Sequence, residues 1–173
     1  MAIKGKAYQK TTWTFQERPV ASAKLNTWDD RIEAALELAF ELLSRAWGGG
    51  DGVVRDGSGG ELKVEATSPA SMTVNVLPGY AFITRMPCKL AAAQSIQVIA
   101  PASQPRIDLV QLRLDTWDAA VKEGVESATP AAPTADDADC IVLAHLHLRT
   151  GMASVKDSDD GVNGYIEDAR RYL

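Results

Sequence analysis

The sequence predicts an α+β chain: an N-terminal extended arm and a long amphipathic helix, a Gly-rich hinge, and then a small antiparallel β-sandwich-like domain. Three observations predict it. Apolar residues from Leu25 to Trp47 recur at alternating spacings of three and four, the period of one helix face. Beyond Glu61 the period changes to two, in short runs rich in Val, Ile and Leu and bounded by Pro, Gly, Ser or Asp, as strands require. Between the two lies "GGGDGVVRDGSGG", residues 48–60, a composition that favours a flexible connection. The expected divisions are an arm over 1–24, an oligomerisation helix over 25–47, a hinge over 48–60 and a β-domain with its tail over 61–173.

In the arm, Trp13 and Phe15 alternate about ten residues ahead of the helix. Left in water, each would forgo about 1.5–3 kcal/mol of burial. The arm is therefore expected to dock, either over this chain's own β-domain or against a neighbouring subunit, which an extended segment can reach at about 3.3 Å per residue.

In the helix, Leu25, Ile32, Ala39 and Ala46 recur every seven residues, Trp28, Ala35 and Leu42 fall between them, and Leu36 and Leu43 widen the seam. Thr27 is expected to cap the N-terminus, with Asp30 closing the reciprocal bond. "WGGG" at 47–50 supplies the left-handed stop. The apolar set, which also includes Leu38, Phe40 and Trp47, wraps beyond a stripe of about 100°, so one β-domain cannot cover it. A second partner is implied, and a parallel bundle of identical chains would bury the seam. The predicted subunit or partner interface is Trp13, Phe15, Leu25, Trp28, Ile32, Ala35, Leu36, Ala39, Leu42 and Leu43.

In the β-domain, strands are expected in "ELKVEA", "SMTVNVLPGYAFITR", "QSIQVIA", "RIDLVQLRLD", "CIVLAHLHLR" and "MASVKD". Pro78-Gly79 suits a type II turn, which makes 71–85 a hairpin. "SATPAAPTADDAD", 127–139, is expected to be an exposed loop. Tyr165, Ile166, Tyr172 and Leu173 near the C-terminus can dock on the domain or on a neighbour.

Chemical motifs are weak. Net charge is −5 and the 18 Lys and Arg are scattered, which argues against nucleic acid. No apolar run reaches about 18 residues and the first ten residues have no apolar core, so neither a membrane span nor a secretory signal is expected, and synthesis is expected in cytoplasm. Cys88 and Cys140 are expected to stay reduced. His145 and His147 point to one strand face as a metal pair would, yet no third ligand is evident. "DDGVNG" offers part of a calcium loop but places Arg170 where the bidentate Glu must sit. "GGGDG" follows a helix instead of opening one, unlike a phosphate cradle. No nucleophile is partnered by a base, so no catalytic residue, metal or cofactor is assigned and the chain is expected not to be an enzyme.

Six short pieces in order resemble structural proteins of tailed bacteriophages, found in baseplates and at the bases of tail fibres: Trp13 leading to "KLNTWDDRIEAALELA", then "VNVLPGYAFI", "PRIDLVQLRLD", "TPAAP", "IVLAHLHL" and "YIEDARR". The resemblance implies a non-enzymatic, oligomeric adaptor located in the virion, and trimer is the state it favours. Because the sequence ends at Leu173, directly after that module, an adaptor, fibre stub or decoration piece is expected. Within it Arg106 and Asp108 alternate with Ile107 and Leu109, so the charged pair is expected at an edge, holding the fold by bonds to loop backbone or to Asp168 and Arg170. Rival readings are a module binding host glycan through Trp117 or Tyr80, a polymer hydrolase, and a head decoration protein.

Overall fold

The computed structural model describes residues 22–136 and 138–173. In chain order its elements are the helix α1 (Ser22–Ala46) and eleven strands: β1 (Gly52–Val53), β2 (Val64–Ala66), β3 (Thr73–Val76), β4 (Gly79–Ile83), β5 (Met86–Leu90), β6 (Gln94–Gln97), β7 (Arg106–Arg113), β8 (Ala119–Lys122), β9 (Cys140–Leu148), β10 (Val155–Lys156) and β11 (Gly164–Asp168). The chain divides after Gly49 into an N-terminal unit and a β unit, Gly50–Leu173.

The α+β class is thereby corrected to mostly β. Among the described residues there is one helix of 25 residues against eleven strands in three sheets. Nor is α1 a long amphipathic helix. Its buried residues are the polar Glu41 and Ser44, while Leu25, Trp28, Leu36, Leu42 and Leu43 are exposed. Spacing alone marked a seam; which side is covered depends on neighbours the spacing does not show.

The helix starts earlier than its expected cap. Thr27 lies inside it, with Oγ1 donating to Ala23 O at 2.8 Å, a bond that satisfies the hydroxyl without ending the helix. The stop is where the glycines place it. Gly49 N donates to Ser44 O at 2.9 Å and Gly48 N to Arg45 O at 3.1 Å, and both glycines have positive φ, the paired bonds of a Schellman termination.

In the β unit the largest sheet has the order β10-β11-β9-β7-β8. Its two long strands, β7 and β9, pair antiparallel from Arg106↔Leu148 to Arg113↔Cys140, with an irregularity after Val110. There Val110 faces Ala144 and Gln111 faces Val142, so Leu143 is extra, and Leu143 and Ala144 are both buried. A bulge is what lets two successive residues turn inward. The other sheets are β1-β4-β5 and β2-β3-β6. All three contribute to one core, through Val53 and Ile83, through Val64, Val74 and Val76, and through Leu112, Leu143, Leu146 and Leu148. The β unit is not purely antiparallel, because β10 and β11 pair in parallel.

Residues 71–85 are not a hairpin. β3 pairs with β2 and β6, whereas β4 pairs with β1 and β5. Pro78-Gly79 is a corner between sheets, with Leu62 N donating to Pro78 O. Gly79 is required by crowding: a Cβ there would lie 2.8 Å from Leu62 N.

Within the segment 48–60, expected as a hinge, much of the chain is tied to the β unit. Val53 is fully buried, and the following loop is tied by Glu61, whose Oε1 accepts from Asp56 N at 2.7 Å and Gly57 N at 2.9 Å. The C-terminal segment docks on its own unit. Val53 N donates to Arg171 O at 2.7 Å, Leu173 N to Val53 O at 3.1 Å, and Val53 and Tyr172 form a parallel bridge. The Tyr172 ring has Arg55 at 4.2 Å and Arg170 at 5.3 Å, cation–π distances.

Candidate functional site

The first candidate surface is apolar and lies on α1. Of the ten residues predicted as an interface, Trp13 and Phe15 lie outside the described residues. Leu25, Trp28, Leu36, Leu42 and Leu43 are 43–60% exposed, Ala39 is exposed, and Ile32 and Ala35 are half-buried. These eight fall on the seam and its widening, so the exposed side of the helix is the side the heptad spacing marks. Full burial of such a side chain contributes about 1.5–3 kcal/mol; at half exposure a contact completing it contributes about half of that for each large residue.

The polar residues expected to hold the fold form two separate forks. Arg106 Nε donates to Asp108 Oδ1 at 2.7 Å and Nη2 to Oδ2 at 3.0 Å. The pair is not at an exposed edge: it sits on β7 beside β9, with Asp108 fully buried and Arg106 nearly so. Both reach loop backbone, Arg106 donating to Ile99 O at 2.8 Å and Asp108 accepting from Gly124 N at 2.9 Å. Burial opposes the Arg106 charge, but the hydrogen bond and charge of Asp108 outweigh it and raise its pKa. Asp168 and Arg170 do not join them. They make their own fork at 2.9 and 2.7 Å, from which Arg170 donates to Glu61 O at 2.6 Å, pinning the 59–61 turn. Arg113 and Asp115 form a third, exposed fork at 3.2 and 2.9 Å.

His145 and His147 do share a face of β9, and they meet Glu167 on β11. His147 Nε2 lies 2.8 Å and His145 Nδ1 3.4 Å from Glu167 Oε2, and the hydrogen bonds from His147 and then His145 hold the Glu167 carboxyl below its ordinary range. Tyr165, register partner of His147, stacks on it at 4.4 Å. Among the described residues, no group of three His, Cys, Asp or Glu is placed to hold a metal ion. The acidic stretch after Lys156 is an ordered turn: Asp159 accepts from Arg149 and Gly161 N, and Asp160 accepts from Val162 N and Asn163 N while pairing with Lys156 at 2.6 Å. Cys88 and Cys140 are unbridged; burial pushes the Cys88 thiol up to about 11.

Two hairpin tips carry strain that the sequence patterns did not reveal. Ile83↔Met86 closes a two-residue turn in which Thr84 and Arg85 have φ of 50° and 69°, a place that favours Asn-Gly. Thr84 is held there by its N–H to Asp51 Oδ1 at 2.7 Å and its hydroxyl to Asp139 Oδ1 at 3.3 Å. At the β7–β8 tip Trp117 has φ 59°. A left-handed residue with a Cβ costs roughly 1–2 kcal/mol, and a bulky one there is an outlier. The available signal was "LDTWD", in which a turn after a long strand ends on Trp where glycine is usual.

No protein-family model, curated protein or solved structure matches this chain. Among the described residues no helix is long and apolar enough to cross a membrane.

Proposed function

We propose that this chain is a non-enzymatic structural component of a tailed-phage virion, an adaptor that links baseplate, tail or tail-fibre parts and assembles with copies of itself, in a trimer by preference. The observation that carries the reading is the apolar surface of α1, where five large side chains, Leu25, Trp28, Leu36, Leu42 and Leu43, are 43–60% exposed on one helix. Several large apolar side chains exposed on one helix suit association, and spacings of three and four suit knobs-into-holes contact between helices. The order of short motifs along the chain supplies the virion context.

Light scattering on the intact chain tests it. A trimer has three times the 18.6 kDa chain mass, and a double substitution, Leu36→Glu with Leu42→Glu, should return the mass to that of one chain while the thermal transition of the β unit stays in place. An intact chain that is monomeric at tens of micromolar, or a double variant with undiminished mass, refutes assembly through α1. Deleting residues 1–24 asks the same question of Trp13 and Phe15: the oligomer or its attachment to virion neighbours should weaken.

A further inference from the structure

We propose that the turn 56–61 of the β unit binds a hard divalent cation, calcium in preference to magnesium, between the carboxylates of Asp56 and Glu61. The inference concerns the β unit alone and does not depend on the architectural role.

The turn reads "DGSGGE". Gly57 and Gly59 have φ of 90° and 75°, left-handed places that glycine takes without a Cβ penalty, and the chain folds back so that the Glu61 side chain lies within its own loop. Glu61 Oε1 accepts from Asp56 N at 2.7 Å and Gly57 N at 2.9 Å. The residue is only 2% exposed, yet its other oxygen, Oε2, is buried with no hydrogen-bond partner among the described residues. A buried charged acceptor without a donor is costly to keep, so Oε2 calls for a partner from outside the polypeptide.

The surrounding groups select that partner. The Asp56 carboxyl lies against that of Glu61, and its Oδ1 is held in the loop by accepting from Ser58 N at 2.8 Å. Two carboxylates in contact offer acceptors only and repel one another unless a proton or a cation lies between them. Despite burial, the N–H of Glu61 itself and those of Asp56 and Gly57 hold Glu61 down to about 2, and an ionised pair favours the cation. Arg170 does not meet the need. It donates to Glu61 O at 2.6 Å and Gly59 O at 3.4 Å, on the main chain of the turn, and its charge is paired with Asp168 through Nε and Nη2. Ser58 Oγ, which accepts from Gly60 N at 3.1 Å, adds a neutral oxygen. Two carboxylates, a hydroxyl and loop carbonyls make an all-oxygen set in a pliable loop, which suits calcium, whereas magnesium demands near-ideal octahedral geometry. Without His or Cys in the turn, zinc is disfavoured. Residues 56–59 are exposed, and a Cβ at Gly57 or Gly59 would meet nothing within 4 Å, so an ion can enter from water. The acidic turn after Lys156 differs in this respect, since its carboxylates already pair with Arg149 and Lys156.

The test is a thermal scan of the full chain, stripped of metal with chelator and then titrated with CaCl2, with MgCl2 and NaCl at matched ionic strength beside it and calorimetry of calcium binding to follow. Binding should have a Kd on the order of 10⁻⁴–10⁻³ M, the range of weak calcium sites. Calcium at about ten times that Kd should raise Tm by about 3–6 °C, and magnesium should bind more than tenfold more weakly. Glu61→Gln and Asp56→Asn should each abolish the calcium shift; Asp56→Asn keeps an acceptor for Ser58 N and so preserves the turn if Glu61→Gln does not fold. Glu126→Gln, a carboxylate change outside the turn, should leave the shift intact. No calcium-dependent rise in the parent, an equal response to magnesium, or an undiminished response in Asp56→Asn overturns the proposal and leaves the two carboxyls sharing a proton.

Discussion

Replacing Arg106 by methionine should be among the most damaging single changes in the β unit. Asp108 is fully buried and accepts three hydrogen bonds, from Arg106 Nε at 2.7 Å, Arg106 Nη2 at 3.0 Å and Gly124 N at 2.9 Å. Methionine keeps most of the stem volume but removes two of the three donors and leaves Ile99 O without the bond it accepts at 2.8 Å. Removing one partner of a buried pair costs about 3–5 kcal/mol, because the remaining charge is uncompensated. The exposed Arg113–Asp115 fork is an internal control with the same two-residue spacing, and Arg113→Met should cost about 0–1 kcal/mol. Urea unfolding at constant m gives each value. A cycle completed with Arg106→Met/Asp108→Leu separates the pair from its surroundings, and the double variant should be more stable than Arg106→Met alone, limited by Gly124 N losing its acceptor. An Arg106→Met chain within about 1 kcal/mol of the parent would refute the view that this fork holds the sheet to its covering loops.

Acid stability should follow the depressed carboxylates, Glu126 among them. The Ser103 hydroxyl and the N–H groups of Ala102, Ser103 and Gln104 hold Glu126 down to about 2, from an ordinary value of 4.5. A depressed carboxylate stabilises fully above its unfolded pKa, so this contribution is present above pH 4.5 and disappears as pH falls toward about 2. Glu126→Gln should flatten Tm against pH in that window, and the slope that remains belongs to the other depressed carboxylates, among them Glu61, held down to about 2 by its own N–H and those of Asp56 and Gly57, and Asp160 and Glu167; an unchanged slope would remove Glu126 from the account. Gly124→Ala should destabilise the unit by about 1–3 kcal/mol, since the new Cβ would fall 2.0 Å from Ile107 O and displace the donor to Asp108. Chemical denaturation measures it, and a neutral result would mean that the covering loop moves freely.

Legibility in the sequence followed side-chain size and the range of the contacts. β2, β3, β7 and β9 lie within runs where branched apolar residues alternate, and the pattern shows them directly. β1 is "GV", β8 "AAVK" and β5 "MPCKL", small or charged pieces that become strands through the partners beside them. Pro78-Gly79 reads the same whether it turns a hairpin or a corner, and only the distant pairing of β4 with β1 and β5 decides. The Arg106–Asp108 fork was visible as a pair, but its burial depends on Ile99 and Gly124, which pattern reading along β7 cannot bring to it. The start of α1 was misplaced because Thr27 looks like a cap and is instead satisfied one turn back by Ala23 O.

The clasp between β1 and the C-terminal segment sets how the β unit would carry tension. Val53 and Tyr172 run in parallel, so a pull on Gly50 against Leu173 loads their bonds in shear, and the two bonds between Val53 and the segment 171–173 must yield together instead of unzipping in turn. Force applied between those points therefore meets this short lap joint before it reaches the Leu-rich interior, and the joint, not the core, sets the load at which the unit begins to open.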